Sequence, residues 1–237
     1  MGRAFEFRKA RKMKRWSAMS KAFTRIGKEI TLATKESGPN PEANIRLRMA
    51  IQNAKAANMP KDNIERAIKK AMDKDAADLK EMVYEGYAPH GIAIMVETLT
   101  DNHVRTVADV RSYFRKCDGT LGNSGSVEFM FEHKCFFQIT KPEMDLEELE
   151  LEMIDYGVEE IFEDEEGVML YAMFPEFGNI QAALDKMNLE IISSGFERIP
   201  MDNKQMTEEQ QADVNKLLDM LEENDDVQAV WHNMEEI

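Results

Sequence analysis

Apolar positions in the first third of the chain recur at helical spacing. Met19, Phe23, Ile26, Ile30 and Ala33 follow one another at intervals of four and three, which puts them on one face of a helix over residues 17–36. Ser17 suits its N-cap and Gly38-Pro39 its stop. Asn40-Pro41 then opens a second helix striped by Leu47, Ile51 and Ala54, in the cap-then-proline order of a helix start. A third begins near Pro60, with Ile64, Ala67 or Ile68, and Ala71 or Met72 turned inward. Three such stripes can close on one another as a small bundle.

After Lys80 the period shortens. Residues 82–87 and 91–99 read as strands joined by a turn containing Pro89 and Gly91, and 102–116 as a helix striped by Val104, Val107, Val110 or Arg111, and Phe114. Residues 126–132 form another strand, rich in β-favouring side chains. A complete unit follows: strand 135–140, helix 145–156, a hairpin of 158–163 and 168–174 around the acidic Asp164-Glu165-Glu166-Gly167 tip, helix 176–187 and strand 190–199. That order, β-α-β-β-α-β, is the ferredoxin-like arrangement. Thr207, with Gln210 three residues on, makes a capping box for a last helix to Glu222, and 227–231 is a last strand. The β-β-α-β of 82–132 needs that terminal helix and strand to complete it. The predicted fold is therefore α+β: an N-terminal three-helix bundle followed by two α/β sandwich domains, the second ferredoxin-like and inserted into the first. The corresponding domains are residues 1–80, 81–133 with 205–237, and 134–204.

Charge divides the chain along the same lines. Residues 1–80 hold 20 Lys and Arg against 9 Asp and Glu, a balance of +11, whereas the remaining 10 basic and 36 acidic residues give −26. The first third should seek polyanions and the rest repel them. Arg8, Lys9, Arg11, Lys12, Lys14 and Arg15 form a basic arm, and the bundle adds Lys21, Arg25, Lys28, Arg46, Arg48, Lys55 and Lys61, with Arg66, Lys69 and Lys70 also on outward positions. Clustered cations on a rigid helical platform suit a phosphate backbone, whose neutralisation releases counterions. Trp16, Phe5 and Phe7 can stack on unpaired bases, or the two phenylalanines can staple the arm to the bundle. Asn58 and Met59 in the second turn join the candidate contacts: an unbranched apolar residue between Lys55 and Lys61 either packs inward or forms a working tip, and the tip is the preferred reading.

Candidate enzyme chemistry does not assemble. Gly119, Gly122 and Gly125 resemble a phosphate loop but follow a helix and precede a strand, the reverse of the order that aims a helix N-terminus at phosphate, so a tight connection is expected. Asp101-Asn102-His103 reads as a helix cap. His90, His103, His133 and His232 lack metal-ligand spacing, and Cys117 and Cys135, widely separated, read as reduced thiols. No cofactor and no metal is expected. Hydrophobic runs reach about eight residues, far from the roughly 20 that span a bilayer, and the start lacks a secretory cleavage site. A cytoplasmic protein without membrane contact is expected.

The turn between the second and third helices reads Ala56-Ala57-Asn58-Met59-Pro60-Lys61-Asp62-Asn63-Ile64-Glu65-Arg66-Ala67-Ile68. It resembles the signature of the YebC/PmpR family. Tyr84-Glu85-Gly86-Tyr87-Ala88-Pro89, continuing to Thr98-Leu99-Thr100-Asp101-Asn102 and Arg105-Thr106-Val107, resembles the family's second block, and Gly119-Thr120-Leu121-Gly122 through Gly125-Ser126-Val127 its third. The likeness runs over essentially the whole chain. One departure is at the start, where Arg3-Ala4-Phe5-Glu6-Phe7 stands in place of the family's Gly-His-Ser-Lys-Trp.

The resemblance implies a helical bundle with two α/β domains and a role in gene expression, in one of two versions. Members are described as DNA-binding transcriptional regulators. Others, with a similar mitochondrial translational activator, are associated with the ribosome and with relief of stalls on proline-rich stretches. The reading is a non-enzymatic nucleic-acid-binding regulator with transcription first, an RNA-binding or ribosomal RNA-binding translation factor second, and an enzyme a distant third. The acidic body is expected to hold a protein partner or to orient the basic head.

Overall fold

Three helices build the amino-terminal bundle in the computed structural model, which describes residues 19–73, 76 and 78–235. They are α1 (Met19–Ser37), α2 (Ile45–Ala56) and α3 (Lys61–Ala71). Ile30, Ala33, Leu47, Ala50, Ala54, Met59 and Ile64 form their common core. α1 stops at Gly38, whose φ of +85° turns its N–H back onto the Thr34 carbonyl at 2.8 Å. α2 starts later than Asn40-Pro41 suggests, because buried Asn44 is its N-cap. The Asn44 Oδ1 accepts from the Leu47 N–H at 2.9 Å, while its Nδ2 donates to the carbonyls of Ala33 and Gly38. One amide thus closes the end of α1 and the start of α2, with its donors and acceptor all satisfied.

The remaining elements, in chain order, are β1 (Lys80–Ala88), β2 (Ile92–Thr100), α4 (His103–Lys116), β3 (Thr120–Leu121), β4 (Phe131–Ile139), α5 (Leu146–Ile154), β5 (Val158–Asp164), β6 (Gly167–Met173), α6 (Phe177–Lys186), β7 (Ile191–Pro200), α7 (Glu208–Glu223) and β8 (Val227–His232). They make two four-stranded sheets of order β3-β1-β2-β8 and β5-β6-β4-β7, paired antiparallel throughout. In the first, Val110 and Phe114 of α4 and Val214, Leu217, Leu218 and Leu221 of α7 pack onto Ile92, Ile94 and Val96. In the second, Leu149 and Met153 of α5 and Ile180 and Leu184 of α6 pack onto Cys135, Phe137 and Ile139. Each of these large side chains, fully buried, contributes about 1.5–3 kcal/mol relative to exposure.

The architecture is the expected α+β one, a helical bundle with two α/β sandwiches. The second sheet belongs to a β4-α5-β5-β6-α6-β7 unit, the ferredoxin-like order, lying in sequence between β3 and the α7-β8 segment that finishes the first sheet. The capping box of Thr207 and Gln210 opens α7 as the sequence predicts.

Three local readings need correction. The strand predicted over 126–132 is a 3₁₀ turn at Glu128–Met130 that leads into a continuous β4, and the third strand of the first sheet is the two-residue β3. Val104, predicted to face inward, is 64% exposed, and α4 packs through Thr106, Val110 and Phe114. Residues 41–43 form a turn instead of the first turn of α2.

Candidate nucleic-acid interface

Arg8, Lys9, Arg11, Lys12, Lys14 and Arg15, with Phe5, Phe7 and Trp16, lie outside the described residues. The candidates on the bundle divide into two sets. One is turned towards the acidic body. The Lys28 Nζ lies 2.7 Å from Asp226 Oδ1 and also donates to the carbonyls of Asp225 at 2.8 Å and Leu99 at 3.1 Å, so all three of its donors are used. Arg25 donates through Nη2 to the Glu222 carbonyl in the last turn of α7 at 2.9 Å. Arg46 sits among Glu29, Glu36 and Glu81. Arg48 pairs with Asp185 of α6 at 3.2 Å. Asn53 adds a neutral link, donating to the Ser194 carbonyl and accepting the Ser194 N–H.

These cations therefore fasten the bundle to the body. Burial raises the Glu29 carboxyl, against the pull of Arg46. For Arg46, burial favours the neutral form, yet the Glu81 hydrogen bond and the surrounding carboxylates hold the guanidinium charged. The sequence could not show this division, because the partners of Lys28 and Arg48 lie 198 and 137 positions away.

The other set faces outward. Lys55 and Lys61 are exposed on either side of the α2–α3 turn, and Arg66, Lys69 and Lys70 continue the exposed face along α3; Lys21 is half-buried on α1. Of these, Lys61 lies 3.4 Å from Glu65 in a pair open to water, which contributes little. Lys55, Arg66, Lys69 and Lys70 have no ion pair or hydrogen-bonded side-chain partner among the described residues.

Asn58 is exposed at this turn with φ +58°, a left-handed conformation that asparagine tolerates. Its N–H donates to the Lys55 carbonyl at 2.9 Å, and the next N–H, of Met59, donates to the Ala54 carbonyl at 2.8 Å. These two bonds make a Schellman motif, in which the residue two past the cap makes an apolar contact with the last helical turn. That residue is Met59, 9% exposed in the core with Ala54. The reading of Met59 as an exposed tip is thus corrected to inward packing, and the signal for it was the Asn at the left-handed position.

Two carboxylates that sequence reasoning missed organise the body. Asp226, just before β8, accepts from Lys28, from Arg105 Nη2 at 2.9 Å, and from the hydroxyls of Thr100 and Thr106 at 3.1 and 2.9 Å. Burial alone would raise its pKa, but these donors hold it well below the usual carboxylate range. Glu85 of β1 accepts the N–H groups of Gly125 at 2.6 Å, Val127 at 2.8 Å and Glu128 at 2.9 Å. Its carboxyl too is lowered, burial being outweighed by the three N–H donors. The glycine-rich loop spends its amides on the protein's own carboxylate, which gives a connection as expected. Asn102 likewise caps α4, its side chain accepting the Arg105 N–H at 3.1 Å.

The other polar candidates are structural. Burial pushes the Cys135 thiol up to about 12, and burial followed by the field of Arg198 brings His133 down to about 4. Among the described residues no group of three or more His, Cys, Asp or Glu is placed to hold a metal ion, and no helix is long and apolar enough to cross a membrane.

Comparison with known proteins adds an independent line. A sequence model of the TACO1/YebC protein N-terminal domain matches residues 3–74, and one of the TACO1/YebC second and third domain matches residues 79–234. A Flavobacterium johnsoniae protein named "Probable transcriptional regulatory protein" is 65% identical over 236 residues, covering 100% of both chains. A Porphyromonas gingivalis protein of the same name is 60% identical over 237 residues, covering 100% of this chain and 98% of its own. A crystal structure of a conserved hypothetical protein from Aquifex aeolicus superposes with a TM-score of 0.75 at 42% identity, covering 91% of this chain and 90% of the other.

Proposed function

The chain belongs to the TACO1/YebC family, and from that premise we propose that it is a non-enzymatic regulator of gene expression that grips nucleic acid with the outward cations of its helical bundle. The observation that carries this reading is the face formed by Lys55, Lys61, Arg66, Lys69 and Lys70, exposed around the α2–α3 hairpin on a chain whose remaining two thirds carry −26. Phosphates are drawn to that face and repelled by the body, so charge orients the ligand before any contact forms. Asn58 stands at the tip of the face and can donate or accept, while Met59 holds the turn from inside. Lys21 and the basic residues of the arm extend the same positive region along the sequence. Arg25, Lys28, Arg46 and Arg48 serve as struts to the body.

Transcription is the first reading, because relatives at 60% and 65% identity carry that name. One observation favours RNA as a second reading. The exposed residues of α3 are Lys61, Asp62, Glu65, Arg66, Lys69 and Lys70, four cations and two acids without the Asn and Gln that pair with base edges, which suits recognition of shape and backbone. Crosslinking in cells followed by sequencing of the attached nucleic acid tests both. Promoter fragments would support the first reading and ribosomal RNA the second. Absence of any enriched nucleic acid would overturn the proposal.

A further inference from the structure

We propose that the exposed face of α4, on the acidic body, is a second phosphate-binding surface, so that a nucleic acid held by the bundle continues across Arg111, Arg115 and Lys116. The inference rests on the function proposed above and concerns a part of the molecule that the charge count of the sequence would exclude. Residues 81–237 hold only 10 basic side chains, and four of them, Arg105, Arg111, Arg115 and Lys116, are on this one helix. Elsewhere in the body five of the six remaining cations are engaged: Lys134 with Glu159 and Glu132, Arg198 with Glu97 and Glu128, Lys141 with Glu163, Lys216 with Asp213, and Lys204 with the His90 carbonyl. The sixth, Lys186 at the end of α6, is a single exposed cation with no neighbouring one beside it. Arg105 closes onto Asp101 and Asp226.

Arg111, Arg115 and Lys116 differ. All three are exposed and none makes an ion pair or side-chain hydrogen bond among the described residues. Asp109 on the same helix and Asp118 just after it are the nearest acids in sequence, and neither pairs with them. In a region carrying 36 acids, three neighbouring cations without a partner are conspicuous.

Helix stability accounts for part of this arrangement only. Arg115 and Lys116 occupy the last turn, where positive charge complements the helix dipole. Arg111 lies before that turn and gains little from it. Instead it stands four residues from Arg115, a like-charge spacing that destabilises a helix. The spacing is productive for a polyanion. The two guanidinium groups rise from the same face, with Cβ atoms about 6 Å apart. Between them Ala108 and Ser112 keep the helix surface low, and the five residues line an open recess of about 400 Å³. A phosphate can settle there against the Ser112 hydroxyl and be held bidentately by arginine.

The position also suits continuity with the bundle. The first turn of α4 meets α1 at Asp226, shared by Arg105 and Lys28. Ten residues separate Arg105 from Arg115, about 15 Å along the helix. At 3.4 Å per base step, a strand running along α4 covers that distance in about four or five steps.

The test uses the full-length protein with the double variants Arg111→Glu/Arg115→Glu and Lys69→Glu/Lys70→Glu, and fluorescein-labelled RNA hairpin and DNA duplex probes read by anisotropy over a range of salt. Thermal unfolding checks that each variant is folded, with Arg111→Gln/Arg115→Gln replacing the first if it is not. On the probe that the wild type binds, loss of the two α4 arginines should weaken binding and lower the log-log salt slope by about 1.8, two contacts at about 0.9 each. An unchanged slope in the α4 variant, alongside a lowered slope in the α3 variant, would overturn the second surface and leave the proposed function standing. No binding of either probe by the wild type would overturn both.

Discussion

Lys28 of α1 and Asp226, just before β8, meet at 2.7 Å, so residues at opposite ends of the sequence close the joint between bundle and body. Their relationship decides what removing either should do. Asp226 has two cationic donors and two hydroxyl donors, so Asp226→Asn takes from Lys28 its carboxylate partner and leaves Arg105 with Asp101 alone. Breaking a buried pair in this way should cost about 3 kcal/mol, read as a lowered denaturant midpoint. Lys28→Gln should cost less, since its side chain is 21% exposed and water can replace it.

The same carboxylate sets an acid limit on stability. Its pKa is depressed in the folded state, so the stability it contributes is fully present above the unfolded value of about 3.9 and is lost as pH falls from there through the folded value. Thermal unfolding followed between pH 7 and pH 2 should show a decline that begins below about pH 4–5 and is shallower in Asp226→Asn than in the wild type.

Met59→Ser tests the turn between α2 and α3. Met59 packs with Ala54 and Ile64, so the change should cost about 2 kcal/mol or more, as for other truncations of buried side chains. Nucleic-acid affinity of the folded variant should be retained, because the cations around the turn remain. A variant of wild-type stability with lost binding would restore the exposed-tip reading. Asn58→Val should destabilise by about 1–2 kcal/mol through its φ of +58°, whereas Asn58→Gly should be nearly neutral.

Glu85→Ala leaves the N–H groups of Gly125, Val127 and Glu128 without their acceptor. The buried Val127 donor alone should cost about 1–3 kcal/mol, and the part-buried donors of Gly125 and Glu128, which water can reach, should add less. Amide exchange at buried Val127 should accelerate before the rest of the first sheet loosens. Unchanged exchange there would show that the loop holds its shape without the carboxylate.

Much of the fold was legible because periodicity survives in long elements. The stripe from Phe23 to Ala33 and the Thr207–Gln210 capping box both identify helices, and the β-α-β-β-α-β order of the second sheet follows from counting elements. β3 was missed because two residues cannot show a period. The break predicted in β4 came from the polar pair His133-Lys134. Lys134 is in fact buried with Glu159 and Glu132, and His133 stacks on Phe174 at 4.1 Å. At the candidate interface, sequence located the positive region but could not sort it. Lys28 and Lys55 are alike as letters, and only tertiary pairing separates the strut from the open cation.

The insertion gives that sorting an order in time. Synthesis runs from the amino terminus, so Lys28 is made nearly two hundred residues before Asp226, and Arg25 long before the Glu222 carbonyl it will meet. While the ferredoxin-like unit is being made, Lys28 still lacks the Asp225 carbonyl and the Asp226 carboxylate that it will meet. On the proposed function, a growing chain should therefore be stickier towards nucleic acid than the finished one. A chain cut short before α7 should keep that property for good, binding polyanions more tightly and less selectively than the full-length protein. The segment from Glu222 to Asp226 does more than lead into the last strand: by arriving late, it closes over Arg25 and Lys28 and ties α1 to the finished body.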